Sequence, residues 1–188
     1  MSILIATLGA SWQVIPEIVA LIRPDACPLY QRHPNQQQLD ALRRQCGVLE
    51  SPCTALWVIT SSSPKTTAGV QAIQSWAALL DQHLPITFFV AEGTDTVTSE
   101  QELHALQELV FRVVLKASEQ DAVVCSLAGG RKTMSADLQH AASALCWAAF
   151  CWHRLLPCLD TPIPDLSCKL STQKSFMAGR MKWCRLKP

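Results

Sequence analysis

Ala122-Val123-Val124-Cys125, continued by Ser126-Leu127-Ala128-Gly129-Gly130-Arg131-Lys132-Thr133-Met134-Ser135, joins a short apolar run to a glycine turn and a basic pair. An Ala/Leu/Trp-rich stretch follows from Ala136 to His153. The apolar run predicts a buried strand and the later stretch predicts a helix, so the glycines fall at a strand-to-helix turn. Glycine lets backbone approach a ligand closely, and the free N–H groups of a helix N-terminus favour anions. Arg131 and Lys132 add full positive charge, so this turn predicts a ligand that carries phosphate. The same residues also fit a plain loop with a solvated charge pair, because glycine-rich turns discriminate weakly on their own. The turn is not a Walker A loop, in which Gly directly precedes Lys; here Arg131 holds that position. There is no G-x-G-x-x-G either.

The pattern occurs twice. Ile3-Leu4-Ile5-Ala6-Thr7-Leu8 leads into Gly9-Ala10-Ser11-Trp12-Gln13 and then into Val14-Ile15-Pro16-Glu17-Ile18-Val19-Ala20-Leu21. This again reads as strand, glycine-containing turn and helix. Ligands of open parallel sheets collect at the carboxyl ends of strands. Two such turns in one domain are therefore expected to form one site. Other elements alternate between them. Strands are expected at Ser2–Thr7, Thr54–Thr60, Ile86–Val90 and Ala122–Cys125, with a weaker one at Leu155–Leu159. Helices are expected at Pro16–Leu21, Leu39–Cys46, Thr66–Gln82, Ser99–Ser118 and Ala136–His153, with a loop over Arg23–Gln38. Ser99 and Glu102 have the spacing of a capping box. This alternation predicts an α/β, Rossmann-like fold with a mostly parallel central sheet and helices on both faces. After Thr161-Pro162-Ile163-Pro164 the pattern fades, and a small C-terminal hairpin is expected. The organisation is a domain over residues 1–160 and an extension over 161–188 packed on it.

At these residues the chain resembles a known family. Ile3–Glu17 (ILIATLGASWQVIPE) and Ser126–Ser135 (SLAGGRKTMS) are similar to the two signature segments of CRISPR-associated CARF-domain proteins, specifically the standalone ring nucleases. The resemblance covers both motifs and their spacing, and extends loosely from Met1 to about Pro157. It implies a CARF fold and a metal-independent enzyme of type III CRISPR antiviral defence. Such an enzyme cleaves cyclic oligoadenylate, here cyclic tetra-adenylate, to linear products ending in a 2′,3′-cyclic phosphate. The nucleophile is the ligand's own 2′-hydroxyl. A non-catalytic CARF sensor that binds the same messenger and acts through a partner is the alternative. Without the resemblance, the residues support a Rossmann-like nucleotide-binding domain.

The resemblance gives Lys132 and Arg131 the phosphate and catalytic roles, because a fixed cation lowers the barrier to a step that builds negative charge on phosphoryl oxygens. Simple phosphate anchoring is the plainer role for both. Ser11 also receives a catalytic site role; read alone, it is a helix cap. The expected ligand surface is Gly9, Ala10, Ser11, Trp12, Gln13, Ser61, Ser62, Ser126, Ala128, Gly129, Gly130, Arg131, Lys132 and Thr133. Trp12 could stack on an adenine, or pack in a core or interface. Ser61, Ser62 and Lys65 follow the second main strand and also fit a solvent-exposed turn. Ser126 and Thr133 also fit capping roles.

Bulk properties narrow the partners. The chain has 188 residues, 49 % of them hydrophobic, and a formal net charge of +1. A binder of long nucleic acid is usually strongly basic, so that class is disfavoured. Lys169, Lys174, Arg180, Lys182, Arg185 and Lys187 form a basic stretch that reads as a solvated tail or edge hairpin. The nine cysteines form no C-x-x-C. Their odd number points to reduced thiols and a cytoplasmic setting. No apolar run is long enough for a bilayer, since Asp137, Gln139 and His140 interrupt the nearest candidate. Cys146 and Cys151 lie on different faces of the expected helix, and no histidines pair in a nuclease pattern. Neither a metal nor another cofactor is expected. A two-fold homodimer is expected, because such a dimer presents each motif twice to a ring with the same symmetry. Some relatives close over the ligand with an aromatic residue in a segment beyond the helix. Leu159-Asp160-Thr161-Pro162-Ile163-Pro164 contains none.

Overall fold

The structure is a computed structural model and describes residues 1–45, 51–80, 84–145 and 182–183. The elements are β1 (Ser2–Leu8), α1 (Val14–Ile22), α2 (Gln36–Gln45), β2 (Cys53–Ser61), α3 (Pro64–Ala77), β3 (Ile86–Ala91), α4 (Glu100–Ser118), β4 (Ala122–Ser126), α5 (Lys132–Leu145) and β5 (Lys182–Trp183). They form one sheet of order β4-β1-β2-β3-β5. β1 to β4 all run parallel, and the two-residue β5 pairs antiparallel with β3. This is the expected Rossmann-like arrangement.

Strand alternation sends successive side chains to opposite faces, and each face is covered by helices. Ile3 and Ile5 of β1, Trp57 and Ile59 of β2, and Phe89 of β3 pack under α4 and α5. Leu4, Ala6 and Leu8, with Leu56 and Val58, pack under α1 and α3 on the other face. Near-continuous burial of β1 is what a central parallel strand requires. α4 places Leu106, Leu109, Val110, Val113 and Val114 in the core at helical spacing. It begins with the expected capping box, in which Ser99 Oγ accepts from the Glu102 N–H at 3.1 Å. α3 begins two residues earlier than its apolar spacing suggests. Pro64 suits a first helical position, and Ser63 caps the Thr66 N–H.

Other boundaries also depart from expectation: α1 starts at Val14 rather than Pro16, and α3 ends at Ala77, short of the expected end. Residues 23–38 are not all loop: Pro28–Tyr30 form a 3-10 turn and α2 starts at Gln36. Arg43 of α2 then reaches back to α1, donating to the carbonyls of Leu21 at 2.8 Å and Ala20 at 3.0 Å. It thereby satisfies carbonyls that the helix end leaves unpaired. α5 starts at Lys132, four residues before Ala136. Its first turn is fixed by local bonds: Ser135 N–H donates to the Arg131 carbonyl, and Ser135 Oγ donates to the Gly129 carbonyl at 3.0 Å. The expected strand at 155–159, the boundary at 160/161 and the far end of the expected helix lie outside the described residues. Of the expected C-terminal hairpin, only Lys182–Trp183 lies within them. Among the described residues, no helix is long and apolar enough to cross a membrane.

Candidate functional site

In this strand order β1 is central: the chain leaves it on one side toward β2 and β3, and returns on the other side as β4. The carboxyl ends of β1 and β4 therefore flank the point where the winding reverses. Open α/β sheets have a crevice there. Both glycine turns lie at this point, and they touch.

The contact depends on glycine. Gly129 and Gly130 have φ of 92° and 69°, which side-chain-bearing residues rarely adopt. A Cβ on Gly129 would lie 2.5 Å from the Thr7 carbonyl oxygen and 2.9 Å from Val14 Cγ1. A Cβ on Gly130 would collide with the Thr7 side chain, and one on Gly9 would lie 3.0 Å from the Gly130 carbonyl carbon. Thr7, fully buried, ties the two turns together by donating from Oγ1 to the Gly129 carbonyl at 3.1 Å. Sequence reasoning passed over Thr7. Its one signal was a hydroxyl near the end of an otherwise apolar strand. Gly130→Ala is expected to combine about 1–3 kcal/mol of backbone strain with this steric clash. Denaturant unfolding should show at least that loss, and an unchanged midpoint would remove the close-contact account of the turn.

Beyond the glycines, α5 begins at Lys132. No hydrogen bond from the backbone N–H groups of Gly130, Arg131, Lys132 or Thr133 is found among the described residues. These are the orphan donors of a helix start, and they carry its positive dipole end. Arg131, Lys132 and Thr133 are exposed, and neither base makes an ion pair among the described residues. On the β1 side, Ala10, Ser11 and Gln13 are exposed and Trp12 is half-buried against the α1/α3 side of the core. Ser11 is not the helix cap suggested by sequence. Gln13 occupies that position and makes no side-chain cap bond, so the Ser11 hydroxyl carries no capping bond. The arrangement supplies two cations, a hydroxyl and a row of backbone donors, which suits a phosphate or phosphodiester.

The other expected residues differ in access. Ala128 and Ser126 are buried, and Ser126 Oγ accepts from the Ala128 N–H at 3.3 Å, which shapes the turn. Ser61 is buried, with its hydroxyl against Thr66 Oγ1 at 3.5 Å. Ser62, half-buried, donates from Oγ to Asp95 Oδ1 at 2.7 Å. These two hydroxyls are engaged within the fold, whereas Ser11 is open. His140 is exposed and meets the Phe111 ring edge-on at 5.8 Å, which places it on the α4 side of α5. Burial lowers its pKa. Cys27, Cys53 and Cys125 are buried free thiols, and burial raises the pKa of the first two. No cluster of metal-ligating residues occurs among the described residues. Cys146, Cys151, His153 and Cys158 lie outside them.

One group near the site was not foreseen. Asp137 lies in the second turn of α5, is fully buried, and neither carboxylate oxygen has a hydrogen-bond partner among the described residues. Burial pushes its pKa up to about 8. Sequence showed it only as a polar interruption of an apolar stretch.

Comparison with known proteins adds the family. No curated protein matches the chain. Residues 37–162, which include β4, the Gly129-Gly130 turn and α5, match the family model described as CRISPR-associated protein NE0113 (Cas_NE0113). Because that match spans more than half of the sequence, the chain belongs to this family of CRISPR-associated proteins.

Proposed function

We propose that the protein is a metal-independent ring nuclease of type III CRISPR defence that cleaves cyclic oligoadenylate, with cyclic tetra-adenylate as the expected substrate. The observation that carries this reading is the meeting of the two glycine turns at the carboxyl ends of β1 and β4, where Arg131 and Lys132 have no ion pair among the described residues and stand beside the donors of the α5 N-terminus. The resemblance of both turns to CARF signature segments and the CRISPR-associated family support it.

The reaction needs little from the protein beyond positioning and charge. The ligand's 2′-oxygen attacks the adjacent phosphorus, the P–O5′ bond breaks, and the 2′-hydroxyl proton ends on the 5′-oxygen. No water is consumed in forming the 2′,3′-cyclic phosphate. In-line placement supplies most of the advantage, because nucleophile and phosphorus belong to one molecule. Arg131 and the α5 N–H groups hold the phosphate, Lys132 stabilises charge as it grows, and Ser11 orients the reacting group. Neither turn contains a carboxylate, so neither offers a magnesium cage. Cleavage is expected to persist in excess EDTA; activity abolished by EDTA and restored by magnesium or manganese contradicts this.

The sensor reading, in which the ring is bound and never cut, has one observation in its favour. Neither turn contains a histidine or carboxylate to act as general base. Incubating the protein with labelled cyclic tetra- and hexa-adenylate separates the two readings, since a sensor returns each ring intact. The cleaving assembly is a two-fold homodimer that presents each turn twice to the ring. Light scattering should give twice the monomer mass with ligand present, and a monomer with and without ligand contradicts the shared site.

A further inference from the structure

The carboxyl edge of the sheet carries a second built feature, two strands from the basic turn. Ser62 Oγ donates to Asp95 Oδ1 at 2.7 Å and accepts from the Thr94 N–H at 3.0 Å. Thr94, fully buried, donates from its own hydroxyl to the Ala91 carbonyl at 2.6 Å. The end of β2 is thus fastened to the start of the β3–α4 loop. Glu102 fastens the other end. Its carboxylate accepts from the N–H groups of Thr96 at 3.2 Å, Val97 at 3.0 Å, Thr98 at 2.9 Å and Ser99 at 3.0 Å. Those bonds, led by that from Ser99, hold its pKa far below the ordinary carboxylate range. They also hold Val97 at a φ of 55°, a conformation that a β-branched residue rarely adopts. Asp95 lies between these two anchors. It is exposed and oriented, with Oδ1 committed to Ser62 and Oδ2 without a partner among the described residues.

Its position relates it to the crevice. β1 and β2 pair with Leu8 opposite Thr60, so continuing that register puts Ser62 level with Ala10 of the first turn. Adjacent strands lie about 4.8 Å apart, which places the β3 end roughly 10 Å from the β1 end. That is about the span of one nucleotide from phosphate to base edge. An anionic phosphate is repelled by Asp95, so what reaches it must be a neutral donor. Oδ2 keeps its lone pairs for a ligand donor, and in a ring of adenines the donor on each base is the exocyclic amino group.

We propose that Asp95, held by Ser62, accepts a hydrogen bond from the exocyclic amino group of an adenine and so sets the base preference of the site. The assignment rests on the ring-ligand reading above. It is tested by titration calorimetry with 2′-fluoro cyclic tetra-adenylate and 2′-fluoro cyclic tetra-inosinate. These rings lack the attacking hydroxyl, and the inosine ring carries a keto oxygen in place of the amino group. The wild type should prefer the adenylate ring by a few-fold, because the exposed Asp95 carboxylate gains a hydrogen bond from the amino group and faces a keto oxygen in its place. Asp95→Asn presents an amide donor and should lose or reverse the preference. Ser62→Ala keeps the carboxylate but releases it, and should reduce the preference partly; thermal melts establish that both variants fold. A wild type with no preference, or an Asp95→Asn variant that retains it, overturns the assignment. A wild type that binds neither ring overturns the ligand reading, and this assignment with it.

Discussion

Lys132→Ala is expected to slow ring cleavage roughly 100- to 1000-fold at saturating ligand, with a much smaller change in affinity. The figure corresponds to about 2.7–4 kcal/mol, the typical cost of removing one donor aimed at developing charge. The side chain stands in the first turn of α5, exposed, beside N–H groups that in the proposed complex hold the phosphate in the ground state. Its ammonium therefore matters most when negative charge on the phosphoryl oxygens peaks. Arg131→Ala should weaken binding as well, because a guanidinium grips phosphate in bidentate fashion. Ser11→Ala should fall between the two, through misplacement of the reacting group. Single-turnover rates at saturation separate binding from chemistry. Wild-type cleavage by Lys132→Ala under those conditions reduces Lys132 to an anchor.

The second large effect is on stability and follows from Asp137. Its folded pKa is raised to about 8 from an ordinary 3.8. Between those values the folded state keeps a proton that the unfolded state has released. The folded state thus binds more protons, and stability falls as pH rises through that window. At about 1.36 kcal/mol per unit, the penalty reaches about 4 kcal/mol near neutral pH. Asp137→Asn has the same shape and no ionisation to suppress. It should be more stable than wild type near pH 7 by up to that amount, with the gain shrinking toward zero near pH 4. Denaturant unfolding at the two pH values reads the difference directly. A gain that does not vary with pH means that the carboxylate has a partner in the folded protein.

The parts of the fold written as local patterns were legible in sequence. Apolar runs gave the four parallel strands, and the Ser99/Glu102 spacing gave the start of α4, because these signals depend on neighbours a few residues away. Two strand–glycine–helix units also led to the expectation of a joint site, and the strand order brings those turns together. What escaped was set by contacts that no spacing rule marks. α5 starts at Lys132 because Ser135 finds the Gly129 carbonyl, a bond with no local sequence signal. Thr7 and Asp137 looked like incidental polar residues until the fold buried both. Ser11 looked like a cap because it precedes a helix, but the helix begins after Gln13. Asp95 is oriented by Ser62, 33 positions away in the chain, and nothing near it in sequence marks it.

The most direct test is the mass and end group of the product formed from cyclic tetra-adenylate in EDTA. Attack by the 2′-hydroxyl predicts linear fragments ending in 2′,3′-cyclic phosphate, whose summed mass equals that of the ring because no water is added. Recovery of the intact ring after tight binding contradicts catalysis. Fragments that carry an added water at the first cut, and appear only with divalent metal, contradict the mechanism.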